Sequence, residues 1–325
     1  MKSMVVILLA VLATIPLSVV AGLAGPVKVA DDNPSYRKVQ GVSGNLNIIG
    51  SDTLSNVVSL WAEEFRKRYL KVDIQVEGKG SRTAPKALIE GTAQIGPVSR
   101  QMTKSELEAF EKKFGFKPTR IVVALDPLAV YVNKDNPIES LSLPQIDAIF
   151  SRSCNGGCGL DISTWGQTGL KGGWAGKPIN PYGRNSASGT YDYFKKHVLF
   201  NGDYKDIVKE QPSSASVVLA VTEDVNGIGY SGIGYKTSGV KAIALSRGEG
   251  GEAYEPTCEN VLAGNYPLAR RLYLYVVKKP NRPLPKTVEE FIRFALSREG
   301  QQIVMKNGYL PLPAGVLKDQ LAALK

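Results

Sequence analysis

Histidine is almost absent from this chain: His197 is the single one in 325 residues. Zinc ligation by imidazole or a Ser-His-Asp triad would have to rest on that residue alone. It sits inside "YDYFKKHVLF", where the apolar spacing is helical and a surface or packing role accounts for it. Cysteine is scarce as well, and Cys154, Cys158 and Cys258 do not make a metal site. The first two flank a glycine-rich loop, "CNGGC", which suits a disulfide in an oxidising compartment. Cys258 is then left over, or it pairs with one of the others instead. No zinc-finger, RNA-binding or basic-zipper pattern appears, and no solenoid repeat.

What is present is an ordinary globular composition, 43% hydrophobic and 22% charged, in a chain long enough for two lobes. Met1 to Ala24 is different: Lys2, the run "MVVILLAVLATIPLSVVAGLA" and small residues at Ala21, Gly22 and Ala24 read as a cleavable export signal, with a single membrane anchor as the alternative. No cysteine follows that run to take a lipid. Residues 25–41 are expected to be a polar leader. Forty Lys and Arg against thirty Asp and Glu give a formal charge of +10, which favours anionic partners or serves solubility alone. The basic residues are spread along the chain, so nucleic acid is not expected.

Strand and helix patterns alternate. "GNLNIIG" is a strand, and "LSNVVSLWAEEFRKRYL" a helix whose stripe runs through Val57, Leu60, Trp61, Phe65 and Tyr69. "KVDIQVEG" is a strand, "APKALIEG" a short helix, and a short strand ends at Gly96. "KSELEAFEKKFG" and "SLPQIDAIFS" are helices, and "RIVVALDPLAVYVNKDNPI" reads as two strands interrupted at Asp126-Pro127. "INPYG", "VKAIAL" and "YPLARRLYLYVV" are strands, and "SGTYDYFKKHVLF" and "SASVVLAVTED" helices. "TVEEFIRFALSREGQQIVMKNG" reads as one long final helix. The fold class is α/β with two lobes, each a mixed sheet flanked by helices, and the apolar segments near 120–133 and 264–278 cross between them. Lobe I is expected over 42–130 and 265–325 and lobe II over 131–264, with the ligand cleft at their interface.

Four loops share one chemistry. In "GRNSASGT" a helix begins at Ser188 or Gly189, so its first N–H groups and the positive end of its dipole face outward and suit a tetrahedral oxyanion. Gly189 permits close approach, Ser188 and Thr190 add hydroxyls, and Arg184 adds a two-pronged charged donor. Ser51, Asp52 and Thr53 stand at a strand-to-helix turn, as do Gly80, Ser81, Arg82 and Thr83. Ser99 and Arg100 follow a further strand. Any one of these is explained by capping or turn chemistry. Four in one chain point to a shared anion site.

Taken with "GSDTL", "GKGSRTAPKALIEGTAQIGPVSR", "LAVYVNKDNPI", "LSLPQIDAIF", "RNSASGTYDYF", "GIGYSG", "YPLARRLYLYV" and "FIRFALSREGQQIVMKNGYLPL", the chain resembles the phosphate-binding proteins of bacterial ABC-type phosphate importers over nearly all of its length after the signal. The resemblance implies the two-lobed periplasmic binding fold, closing on one phosphate. Arg184, Ser188, Gly189 and Thr190 match the family's Arg-x-x-x-Ser-Gly-Thr. Phosphate contacts carry over to Thr53, to Leu54 through its backbone, and to Ser81. One departure matters: Ser99 stands where the family has an Asp whose carboxylate accepts the proton of hydrogen phosphate and repels sulfate. Asp52 from the neighbouring loop, or a backbone carbonyl, is the candidate to replace it. Arg82 and Arg100 are expected at the anion, exposed to solvent, or in an interlobe salt bridge.

The expectation is a monomeric receptor, periplasmic or otherwise exported after signal cleavage, that hands inorganic phosphate to ABC-type permease subunits, without cofactor or catalysis. A receptor for sulfate or another tetrahedral oxyanion is the nearest alternative. A secreted phosphatase with Ser188 as nucleophile is the rival of another class, weakened by the lack of a nearby base or metal-ligand group. An extracellular adhesion protein reusing the fold is a third.

Overall fold

The computed structural model describes Val29, residues 33–157 and residues 159–324. The expected export signal and Cys158 lie outside the described residues. The first part of the chain builds β1 (Gly44–Gly50), α1 (Ser55–Arg68), β2 (Val72–Gly78), α2 (Thr83–Glu90), β3 (Ile95–Val98) and α3 (Lys104–Phe114). β1 pairs in parallel with both β2 and β3, as strand-helix-strand connections require.

Next comes β4 (Thr119–Asn133), one unbroken strand of 15 residues rather than the two expected. Pro127 is accommodated because the strand changes partners there. Its first half runs antiparallel to β11 (Ala269–Val276), with Asp126 in register with Arg270, and from Leu128 onward it pairs with β8 (Gly227–Gly232). Between these lie β5 (Ser140–Ser142), α4 (Leu143–Phe150), β6 (Asn180–Arg184), α5 (Gly189–His197), β7 (Lys209–Gln211) and α6 (Ser214–Glu223). β9 (Val240–Ala242), β10 (Ala244–Ser246) and α7 (Cys258–Leu262) precede β11. The mixed sheet runs β2-β1-β3-β11-β4-β8-β6-β7, with β9 on β4.

The buried apolar side chains divide where β4 changes partners. One core draws on residues 42–124 and 272–324, among them Trp61, Phe65, Phe110 and Phe291. The other half is packed around β8, with Phe150, Trp165, Phe194 and Tyr230 on one side and Tyr131, Val217 and Val221 on the other. β4 and β11 are therefore the crossings, and the cleft lies where they pass between the halves.

Two local expectations need correction, the final helix and the stripe of α1. The long final helix is two, α8 (Lys286–Ala295) and α9 (Arg298–Lys306), because Ser297 caps a new start by accepting from the Gly300 N–H at 3.2 Å. A further helix, α10 (Ala314–Ala322), follows. The leader is docked from residue 33 onward: Tyr36 Oη donates to Glu290 Oε2 at 2.7 Å, and the Arg298 N–H donates to the Pro34 carbonyl at 2.9 Å. In α1, Leu60 is 39% exposed while Val58 is buried, so the stripe is rotated slightly from the expected one. Cys154 is disulfide-bonded and Cys258 is a free thiol.

Candidate functional site

The four loops meet. On one side the β1–α1 turn is pinned to the end of β3 by the Ser51 N–H donating to the Pro97 carbonyl at 2.8 Å. Gly50 is required there, since a Cβ on it would collide with that carbonyl. The β2–α2 turn adds Ser81, whose Oγ accepts from the Ser99 N–H at 3.0 Å and lies 3.1 Å from Ser99 Oγ. From the other lobe comes the first turn of α5, capped by Ser188, whose Oγ accepts from the Thr190 N–H at 3.1 Å.

These sets touch across the cleft. Thr53 Oγ1 and Thr190 Oγ1 are 2.9 Å apart. A Cβ on Gly189 would collide with Ser81 Oγ and lie 2.7 Å from Ser99 Oγ. Gly80, with φ +103°, lets the backbones approach, and the Arg82 N–H donates to the Ala187 carbonyl at 3.2 Å. The hydroxyl-bearing residues Thr53, Ser81, Ser99, Ser188 and Thr190 are all at most 2% exposed. Small side chains at three helix starts thus enclose one spot. Leu54 is buried beside it, and its N–H donates to the Ser51 carbonyl at a long 3.3 Å.

Arg184 closes the floor. Its guanidinium is paired with Asp52 at 3.0 Å and donates to Ser214 Oγ at 2.7 Å and to the Pro212 carbonyl at 3.3 Å. Burial lowers its pKa, opposed by the Asp52 carboxylate. Asp52 reaches over from the β1–α1 turn and accepts from both the N–H and the hydroxyl of Ser214, each at 2.9 Å, so it also serves the N-terminus of α6. Tyr309 Oη and Tyr235 Oη donate to the carbonyls of Thr53 and Asp52 and fix that turn from behind.

Arg82 and Arg100 turn to Asp192 on α5 instead of to the cleft floor. Arg82 Nη2 donates to Asp192 Oδ1 at 2.6 Å, and Arg100 Nε to Oδ2 at 2.7 Å. Arg100 also makes a two-pronged contact with Glu106. Burial pulls the Arg100 pKa down, but Glu106 and Asp192 more than offset it. Of the expectations for these arginines, the interlobe salt bridge is the one that both form, and the Arg82 side chain is also 49% exposed.

Sequence reading missed two charges at the cleft. Asp126 and Arg270, fully buried partners on β4 and β11, pair at 2.7 Å, and Arg270 Nη2 also donates to Thr190 Oγ1 at 2.9 Å. The available signal was a single acid in "VVALDPLAV" and basic residues in "LARRLYLYV", charges without purpose inside apolar strands. Among the described residues no group of His, Cys, Asp and Glu could hold a metal ion, and no helix is long and apolar enough to cross a membrane.

A sequence profile for the PBP superfamily domain matches residues 37–299. The phosphate-binding protein PstS of Pseudomonas aeruginosa is 52% identical over 304 residues, covering 93% of this chain and 94% of the relative. Protein SphX of Synechococcus elongatus is 32% identical over 82% of this chain and 77% of its own length. Among solved structures, a Clostridium perfringens substrate-binding protein with bound phosphate superposes with a TM-score of 0.70 at 28% identity, over 83% of this chain and 100% of that one.

Proposed function

The chain belongs to the PBP superfamily and, within it, to the family of PstS phosphate-binding proteins, and from that premise we propose that it captures inorganic phosphate between its lobes for an ABC-type permease. The observation that supports this most directly is the convergence of buried hydroxyls from both lobes, with Arg184, on the N-terminal turns of helices. Helix N-termini present N–H groups and a positive dipole end, and arginine adds a charge-assisted donor, so an oxyanion would be bound by donors fixed before it arrives. Lobe I, at 42–130 and 265–325, and lobe II, at 131–264, would each supply half of the shell, a division that the split between the buried cores supports. Thr53, Ser81, Ser99, Arg184, Ser188, Gly189 and Thr190 are the ligand residues, with Ser51 and Leu54 supplying backbone. Arg82 and Arg100 hold the lobes together at the rim.

The receptor acts as an exported monomer and not as an enzyme. A nucleophilic role for Ser188 has little support, because its Oγ accepts from the Thr190 N–H and its proton is left to donate to an anion. Ser99 favours one second reading, a receptor that accepts sulfate as well. A serine hydroxyl can donate to a fully deprotonated anion as readily as it accepts from hydrogen phosphate. Asp52 is the replacement acceptor, and three donors already occupy its Oδ2.

Calorimetric titration of phosphate into anion-free protein at neutral pH, with sulfate in competition, tests both readings. One site per chain that prefers phosphate is expected. Sulfate binding without phosphate binding would reject the proposal in favour of the second reading. Asp52→Asn with unchanged selectivity would remove Asp52 as the acceptor.

A further inference from the structure

We propose that Arg270 is a second arginine of the anion site, donating through Nη1 from beside Thr190; the assignment rests on the reading of the cleft as an oxyanion site. A guanidinium has five N–H donors and is buried only where they are used. The Arg270 side chain is 2% exposed. Nε and Nη2 face Asp126, at 2.9 and 2.7 Å, and Nη2 also reaches Thr190 Oγ1. The Tyr193 ring covers one face of the group, 5.3 Å from ring centroid to Cζ. Nη1 has no protein partner, though it is buried. Buried charged donors without partners are rare enough to need a reason. Here the reason lies next door, because the hydroxyl that Arg270 holds is one of the pair that bridges the lobes.

The contact with Thr190 gives Arg270 a second role. Thr190 Oγ1 accepts from Nη2, so its own proton is free to point across the cleft, towards Thr53 Oγ1 at 2.9 Å or a guest between them. Arg270 therefore orients a hydroxyl as a donor and adds charged N–H groups of its own. Asp126 balances its charge as Asp52 balances that of Arg184, leaving two arginines that attract an anion chiefly by directed hydrogen bonds. Arg270 also lines a cavity of ≈ 790 Å³ with Arg100, Lys196 and Arg271, a basic recess from which an entering anion would meet it.

The competing role is structural: Arg270 and Asp126 pin β11 to β4 and do nothing else. The double variant Arg270→Gln/Asp126→Asn separates the two, because it removes both buried charges together and leaves amide partners in register. If Nη1 serves the anion, the double variant keeps a cooperative unfolding transition, while phosphate affinity by calorimetry falls about tenfold to a hundredfold, the worth of a hydrogen bond to a charged group. Wild-type affinity in the folded double variant would overturn the proposal. Should that variant not fold, Arg270→Lys retains the charge opposite Asp126 but not the fork. The same loss of affinity at near-native stability is expected of it, and unchanged affinity would overturn the assignment. Sulfate is titrated in parallel. Wild-type protein that binds sulfate alone would displace phosphate as the ligand yet still test Arg270, whereas binding of neither anion would sink the cleft reading and the assignment with it.

Discussion

The inner cleft and its rim join the same two lobes with different groups. Inside, Thr53, Ser81, Ser99, Ser188 and Thr190 are neutral hydroxyl carriers, at most 2% exposed, on short side chains at helix starts and, for Ser99, just past the end of β3. At the rim, Asp192 holds Arg82 and Arg100 through longer side chains, and the Arg82 side chain is 49% exposed. Water and salt screen the Arg82 pair, whose worth is about 0–1 kcal/mol, whereas the Arg100 side chain is 9% exposed and is shared between Asp192 and Glu106; the inner donors are neutral and fully enclosed. In the proposed function the inner set chooses the anion and the rim sets how readily the lobes meet, and the two tasks are separable by substitution.

The largest effect is expected from Gly189→Ala. Its backbone is the start of a regular helix, which alanine suits, so the separate lobe loses nothing. The new methyl meets Ser81 and Ser99 only when the lobes are together. An overpacking cost of about 1–3 kcal/mol falls on the closed state alone, so phosphate affinity by calorimetry should drop about fivefold to 150-fold with an unchanged melting temperature for the anion-free protein. A loss of thermal stability without loss of affinity would break the distinction between inner cleft and scaffold.

Ser99→Asp comes next. It restores an acceptor-only carboxylate beside Ser81, and a fully deprotonated anion then faces a buried like charge with no proton to share. Sulfate should compete at least about tenfold less well than in the wild type, with phosphate retained. Equal competition in both proteins would place selectivity elsewhere, with Asp52 the first residue to test.

Asp192→Asn addresses the rim. The expected loss of phosphate affinity is about twofold to fivefold at low salt, the scale of the exposed Arg82 pair, because the buried Arg100 keeps its two-pronged contact with Glu106; the difference from wild type should shrink as salt rises. A salt-independent loss of a hundredfold would mean that Asp192 belongs functionally to the inner set.

The inner set was legible in the sequence because its signals are local. "GSDT", "GKGSRT" and "RNSASGT" each put small polar residues and glycine where a strand gives way to a helix, "GPVS" puts its serine directly after a strand, and the chemistry of such turns needs no tertiary information. The rim was half legible. Arg82 and Arg100 were visible as charges beside those loops, but their direction depends on Asp192 arriving from the other lobe, one turn beyond Gly189. Arg270 and Asp126 were hidden because periodicity reads β4 and β11 as apolar crossings, and only their register brings the two charges together. The division of the last helix at Ser297 was obscured for another reason: serine is weakly unfavourable inside a helix and strongly favoured at its start, and the apolar pattern runs through it unbroken.

The smallest effect concerns His197, at the far end of the helix that Gly189 begins. Its ring lies on that of Tyr193, with centroids 4.3 Å apart, and its pKa is lowered first by burial and then by Lys196 and Arg270. The unfolded chain, with an ordinary imidazole near about 6.5, takes up a proton at a higher pH than the folded one. Between the lowered folded value and about 6.5 the unfolded state therefore binds more protons, and stability declines as pH falls through that window and is level above it. His197→Asn should flatten that part of the profile in denaturant titrations at pH 5.5 and 7.5. At pH 7.5 the imidazole is neutral, so phosphate affinity there should match wild type. A variant with altered affinity at pH 7.5 would extend the inner cleft along the whole of α5, and the contrast between cleft and rim would then follow the helix dipole and not the division between hydroxyls and ion pairs.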